Sequence, residues 1–212
     1  ADPRLSLLSG AAAVASNDNW LSTDAATMAA SGAFALTAGS KDAAFVAPLS
    51  AGAYTAPMTA SDGGSGVALL EVYDAASSSQ LSVVNASTRA YVGTDASVLI
   101  PGFTVSGAGS LRLLIRAVGP SLAKFGVSDT LADPTITLYR NSSVLASNDN
   151  WSSGTNTLEI ASVSAAVGAF ALNTNSKDAA LLVSLAEGSY TAVVSGVGST
   201  TGTALVELYV VP

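Results

Sequence analysis

The 212-residue chain contains no cysteine and no histidine. The first absence excludes disulfides, thiol nucleophiles, iron–sulfur clusters and cysteine-bound zinc. The second excludes a Ser-His-Asp triad, an imidazole base and ordinary catalytic zinc or copper sites. Lysine is scarce as well, with only Lys41, Lys124 and Lys177. Charged residues make up 11% of the chain, against about 25% in an average soluble domain. With 15 acidic and 8 basic side chains the formal charge is −7. That balance argues against nucleic acid or an anionic membrane as partner, since both need a basic face. Hydrophobic residues reach 49%, yet no apolar run approaches the roughly 18 residues of a membrane span, so no membrane insertion is expected. Much of the 49% is alanine, which leaves Ser, Thr, Asn and Gly to build the surface.

What the chain does have is a repeat. Residues 15–20 read Ala-Ser-Asn-Asp-Asn-Trp, and residues 146–151 read the same. Asp2-Pro3 matches Asp133-Pro134 at the same spacing of 131. Beyond the tryptophan the spacing becomes 136, because the second copy carries five extra residues. At that spacing Gly32–Leu36 recurs as Gly168–Leu172, Ser40–Ala44 as Ser176–Ala180, and Tyr54–Ala56 as Tyr190–Ala192. Gly66–Tyr73 recurs as Gly202–Tyr209, with Glu71 opposite Glu207. Between the copies lies a segment, 74–131, with no counterpart ahead of the first. Residues 1–73 therefore read as a first repeat lacking its front half. Residues 74–212 read as a second unit, in which 74–131 supplies the front strands and 132–212 repeats 1–73. The alternative is that 74–131 is an insert, or belongs to the first copy.

Alternating and continuous apolar runs bounded by Gly and Ser predict strands. In the second copy they cover Thr135–Tyr139, Ala179–Leu185, Tyr190–Ser195 and Ala204–Val210. In the first they cover Leu5–Leu8, Ala43–Ala47, Ala53–Thr55 and Val67–Tyr73, and the middle segment adds Leu81–Asn85, Ser97–Val105 and Leu111–Val118. Pro101-Gly102 predicts a bulge or bend, since proline cannot donate to a ladder. Two short helices are expected. Asp24–Ser31 has Thr23 or Asp24 as N-cap and closes at Gly32, and Thr157–Val167 closes at Gly168. The fold class predicted is all-β, two tandem antiparallel β-sandwich (jelly-roll-like) units with one short helix in each.

The order Asp133-Pro134, strand, Asn148-Asp149-Asn150 turn, Gly188-Ser-Tyr190-Thr and Gly202 with a closing strand resembles bacterial pre-peptidase C-terminal-like β-sandwich domains. Val98–Phe103 through Leu114–Pro120 resembles the front half of tandem repeats in large secreted bacterial surface proteins. The resemblance implies an extracellular or cell-surface address and a binding, spacing or assembly role, and it names no ligand.

Each candidate site has a structural reading beside its chemical one. Asn17, Asp18 and Asn19, with Asn148, Asp149 and Asn150, hold the oxygens a calcium ion takes. Asx turns account for the same residues with a tryptophan packed above them, and are preferred here. One carboxylate per loop is too few for a tight site unless Asp24 or Glu159 joins. No cofactor is otherwise expected. Lys41-Asp42 and Lys177-Asp178 point to opposite faces of a strand and read as cross-strand bonds or strand caps. Glu71 and Glu207 are expected on solvated strand faces, and Arg112 and Arg116 on the sandwich exterior. Gly63–Gly66 lacks the ending of a phosphate loop. The sequons at Asn85, Asn141 and Asn150 matter only in a host that glycosylates them.

The leading expectation is a non-enzymatic extracellular structural protein, a self-assembling filament or surface-layer subunit. A sandwich without its front half exposes an edge that a neighbour's strand can fill, so the partners expected are copies of itself in a head-to-tail homopolymer. The alternatives are a carbohydrate- or surface-binding module, calcium-assisted, and a spacer of a longer secreted repeat protein. A glycan platform would need more exposed aromatic residues than 6% readily provides.

Overall fold

The structure is a computed structural model describing residues 2–75 and 82–212. It is all-β, with two antiparallel sheets and a few short helices, and divides into unit 1 (1–83) and unit 2 (84–212).

Unit 2 is built on two long strands. Its elements are β4 (Asn85–Val92), β5 (Gly102–Val118), β6 (Pro134–Arg140), β7 (Ser143–Asn148), α2 (Thr157–Ala166), β8 (Ala179–Gly196) and β9 (Gly202–Val210), numbered after those of unit 1. The sheet order is β4-β9-β5-β8-β6-β7, every neighbouring pair antiparallel. The β5–β8 ladder is irregular between Val105 and Ser110, where Gly107 and Gly109 take positive φ. Because of that break, the two ends of one sheet pack on each other. Leu113, Ile115 and Ala117 of β5 and Val206 of β9 share a core with Ile136 and Leu138 of β6 and Ala192 and Val194 of β8. On the opposite face of β5, Leu114 packs with Ala180, Trp151 and the α2 residues Ile160 and Val163.

Unit 1 is smaller. It comprises β1 (Pro3–Ser9), β2 (Ala12–Asn17), α1 (Ala25–Ala30) and β3 (Met58–Ala60), with sheet order β2-β1-β3. Its pairing copies one corner of unit 2. Pro3 faces Ala60 and Leu5 faces Met58, as Pro134 faces Gly196 and Ile136 faces Val194. Leu5 also faces Asn17 as Ile136 faces Asn148, and both hairpins shift register at the same step, Leu7/Leu8 and Leu138/Tyr139.

Several predicted elements differ. Ala43–Ala47 and Val67–Tyr73 are not strands, and of Ala53–Thr55 only Thr55 forms a bridge, to Leu8. The reason lies in the sheet order. Their counterparts, the first half of β8 and all of β9, flank β5 in unit 2, and no strand among the described residues of unit 1 corresponds to β5. Without that strand there is no ladder for either to join. In unit 2 the two predicted pieces 179–185 and 190–195 form one strand, and the bend expected at Pro101-Gly102 falls instead at 106–109. Leu81 of the expected strand 81–85 lies outside the described residues. Residues 82–84 are not strand, and Asn85 opens β4, whose polar Ser87, Thr88 and Arg89 give no apolar signal. Asp24 is the N-cap of α1 but makes no side-chain capping bond.

Candidate functional site

The Asn-Asp-Asn loops follow β2 and β7 and link each hairpin to the chain that returns beside it. Asn148 Oδ1 accepts the Ala180 amide at 3.0 Å while its Nδ2 donates to the Asn150 carbonyl at 3.2 Å. Asn17 does the same with the Ala44 amide at 3.1 Å and the Asn19 carbonyl at 2.9 Å. Both amides are thus committed to backbone. Asp18, Asn19 and Asp149 are exposed, Asn150 is half-buried, and Glu159 is drawn to Arg112 instead. Among the described residues no three His, Cys, Asp or Glu side chains gather to hold a metal ion. Trp151 and Trp20 close the loops, each donating its indole N–H at 3.1 Å, to the carbonyls of Asn173 and Thr37.

The Lys-Asp pairs act across the chain. Lys177 reaches Asp133, and Lys41 reaches Asp2 at 2.5 Å. Asp178 does something different. It is fully buried and accepts the amides of Gly119 and Ser121 at 2.9 and 3.2 Å, with the hydroxyls of Ser121 and Ser176 at 2.5 and 2.6 Å. Four donors satisfy a carboxylate that no cation touches, the condition under which burial is tolerated. Gly119 must be glycine here, since a Cβ would stand 2.1 Å from the Leu131 carbonyl oxygen.

A second link joins the same two parts of unit 2. Arg116 is fully buried, and its Nε and Nη2 donate to Glu207 Oε2 at 2.9 and 2.6 Å. Nη1 donates to the Phe170 carbonyl at 2.7 Å, and the Phe170 ring lies 4.5 Å from the guanidinium carbon. Tyr209 completes the cluster by donating its hydroxyl to Glu207 Oε1 at 2.7 Å. Burial, then the Glu207 carboxylate, push the Tyr209 phenol well above its ordinary range. Lys124 donates to the Ala171 carbonyl and lies over the Phe170 ring at 4.8 Å.

This corrects the expectation that Arg116 and Glu207 face solvent. Phe170, Tyr209 and the segment after α2 cover that side of β5 and β9. The signal was present in the sequence. Arg116 and Glu207 are single opposite charges inside two apolar runs, Leu113–Val118 and Ala204–Val210, and an isolated charge in an apolar strand calls for a partner.

The bonds made by Arg116, Gly119, Ser121 and Lys124 tie residues 84–131 to residues 132–212. In unit 1 the acceptor side is present at equivalent positions. Ser40 donates to Asp42 at 2.6 Å, Trp20 N donates to the Asp42 carbonyl at 2.8 Å, and Tyr73 donates to Glu71 at 3.0 Å, all as in unit 2. The donor side has no counterpart among the described residues of unit 1. Among the described residues no cation pairs with Glu71, Asp42 is exposed, and Phe34 is 55% exposed.

A cavity of about 340 Å³ lies between the 93–98 turn and the end of β8, with Asp95 as its ionisable side chain. No helix among the described residues is long and apolar enough to cross a membrane.

No protein-family model matches the chain, and none of the curated proteins matches it. Among solved structures it is similar to the pre-peptidase C-terminal domain of a collagenase from Bacillus anthracis, at 12% identity and a TM-score of 0.35, covering 59% of this chain and 89% of that one.

Proposed function

We propose that the chain is a non-enzymatic, extracellular structural module that joins like modules by strand complementation. One observation carries the reading: unit 1 repeats the register of a corner of unit 2 without the strand on which the rest of the sheet is laid. Its apolar residues are left in water, with Val67, Leu69 and Val72 exposed by 89%, 68% and 72%. Surfaces of this kind mark interaction sites. The non-enzymatic reading is supported by how unit 2 uses its charges, since Asp178, Arg116 and Glu207 are all spent on joining its two halves. The extracellular reading rests on the resemblance to secreted surface repeats and on a surface of Ser, Thr, Asn and Gly. Repeated head to tail, contacts that do not close on themselves build a filament or surface layer.

Sedimentation velocity and negative-stain electron microscopy over a range of concentrations test this. The expected result is concentration-dependent association that Leu69→Glu weakens. A chain that stays monomeric at high concentration, with unit 1 amides as protected from exchange as those of unit 2, would overturn it.

A further inference from the structure

We propose that unit 1 is the acceptor for a polypeptide segment built like residues 84–131, docked by an arginine on Glu71 and a Gly-x-Ser turn on Asp42. The inference rests on the reading above and names the occupant of its open site.

Three independent observations converge on it. The first is the lost ladder. In unit 2, β5 lies between β8 and β9, and the unit 1 stretches equivalent to its two neighbours are the ones that fail to form strands. An incoming strand with the pattern of β5 would restore both sides at once. The second is chemical. Glu71, Tyr73, Phe34 and Asp42 repeat Glu207, Tyr209, Phe170 and Asp178, and the groups these touch in unit 2, Arg116 and the Gly119–Ser121 turn, all belong to the front segment. The third is charge. Residues 84–131 carry four cations and two acids, whereas residues 2–75 carry seven acids and two cations. An acceptor with that balance attracts a front segment.

A second copy can donate such a segment only by giving up the pairing within its own unit 2, so self-association through unit 1 competes with that pairing. The segment 84–131 is already bound between β8 and β9 of unit 2, and two carboxyl-terminal halves of the same pattern each call for one. A copy that lent its β5 would bare its own Glu207 and Asp178. The occupant is therefore a further segment of the 84–131 pattern.

The test joins a second copy of residues 84–131 directly ahead of Ala1, so that Leu131 followed by Ala1-Asp2-Pro3 reproduces the Leu131–Pro134 junction. Hydrogen exchange is read at residues 43–47 and 67–73, in the extended chain and in the 212-residue chain. Protection at both stretches is expected to rise by about 100-fold or more, the scale set by a buried pair. Changing to Glu the arginine of the added copy that corresponds to Arg116, or Glu71→Arg alone, is expected to abolish most of that gain, and the two together to restore it. The same segment supplied as a separate peptide is expected to protect the same amides and to dissolve self-association of the chain. Unchanged exchange at 67–73, or protection indifferent to both charge reversals, would overturn the proposal. If the 212-residue chain still associates through unit 1 in that case, only the identity of the occupant is lost. If it is monomeric with unit 1 already protected, the structural reading falls with it.

Discussion

Units 1 and 2 are two copies of one sequence pattern that reach different degrees of order. Unit 2 buries Ile136, Leu138 and Val194 completely, whereas none of the described residues 2–75 is buried. The local chemistry does not explain the difference. Both units make the Asn-Asp-Asn links, the Trp N–H bond, the Lys-Asp pair and the Tyr-Glu bond. What separates them is the segment 84–131, above all the strand β5 in the middle of the sheet. A sandwich loses more than one strand's share when that strand is removed, because its two neighbours lose their pairing partner as well. Local hydrogen bonds define the corner, and the central strand supplies the burial on which most of the stability depends.

The largest contrast is expected at the equivalent aspartates. Asp178→Ala leaves the buried amides of Gly119 and Ser121 and the hydroxyls of Ser121 and Ser176 without this acceptor, at roughly 1–3 kcal/mol for each buried donor stranded. Asp42→Ala, at an exposed position, is expected to change stability by about 0.5 kcal/mol or less. Urea unfolding followed by tryptophan fluorescence measures both, in a Trp20→Phe background for unit 2 and a Trp151→Phe background for unit 1. Equal effects at the two positions would mean that the Asp178 clamp is not what distinguishes the units.

Breaking the buried pair comes next. Arg116→Ala strands Glu207 and is expected to cost about 3–5 kcal/mol, while replacing both partners with apolar residues of similar size is expected to be near neutral. The equivalent single change, Glu71→Ala, should leave the urea midpoint of unit 1 unmoved. If Arg116→Ala were as mild, the pair would be a surface contact in energetic terms and the comparison would rest on packing alone.

The sequence made the repeat, the all-β class and the position of both helices legible, because these depend on local spacing. The aligned residues also set 74–131 apart as a segment that is not repeated within residues 1–73. Which runs become strands was less legible: Ala43–Ala47 and Val67–Tyr73 match the letters of β8 and β9 closely, yet pairing is a property of the neighbour and not of the run. The polar strand β4 escaped notice for the converse reason, since its order comes from Val206, Leu208 and their neighbours on β9. At the site, the recurrence of Asn17 and Asn148 was legible, but their bonds to the Ala44 and Ala180 amides were not, because these join distant segments. The need of Arg116 and Glu207 for a partner was signalled by their place inside two apolar runs, but the cover over them was not, because Phe170 and Tyr209 fold over them from distant positions.

Core truncation sharpens the same contrast at a scale comparable to the ion pair or slightly below it. Ile136→Ala is expected to cost about 2–5 kcal/mol in unit 2, as large-to-small changes in filled cores do. Leu5→Ala, half-buried at the matching register position, is expected to cost less because much of the side chain is already hydrated. If Leu5→Ala cost as much in the same urea titration, unit 1 would hold a core of its own and the open-acceptor picture would fail.

The smallest expected effect is a dependence on alkaline pH that belongs to one unit only. The folded state raises the Tyr209 phenol above its ordinary value, first through burial and then through the bond to Glu207. A raised pKa means that the folded protein holds the phenolic proton more tightly than the unfolded chain does. The contribution is therefore fully present below about pH 10, where the unfolded phenol is protonated, and is lost as pH rises above it. Tyr73 shifts in the same direction, again through desolvation and Glu71, but its side chain is 40% exposed, so solvent screens most of the effect. Tyr209→Phe should flatten the fall in unit 2 stability between pH 9 and about pH 11, whereas Tyr73→Phe should leave the pH profile of unit 1 unchanged. With a front segment bound to unit 1, Tyr73 would become covered as Tyr209 is, and Tyr73→Phe would then acquire the alkaline signature it lacks in the open unit.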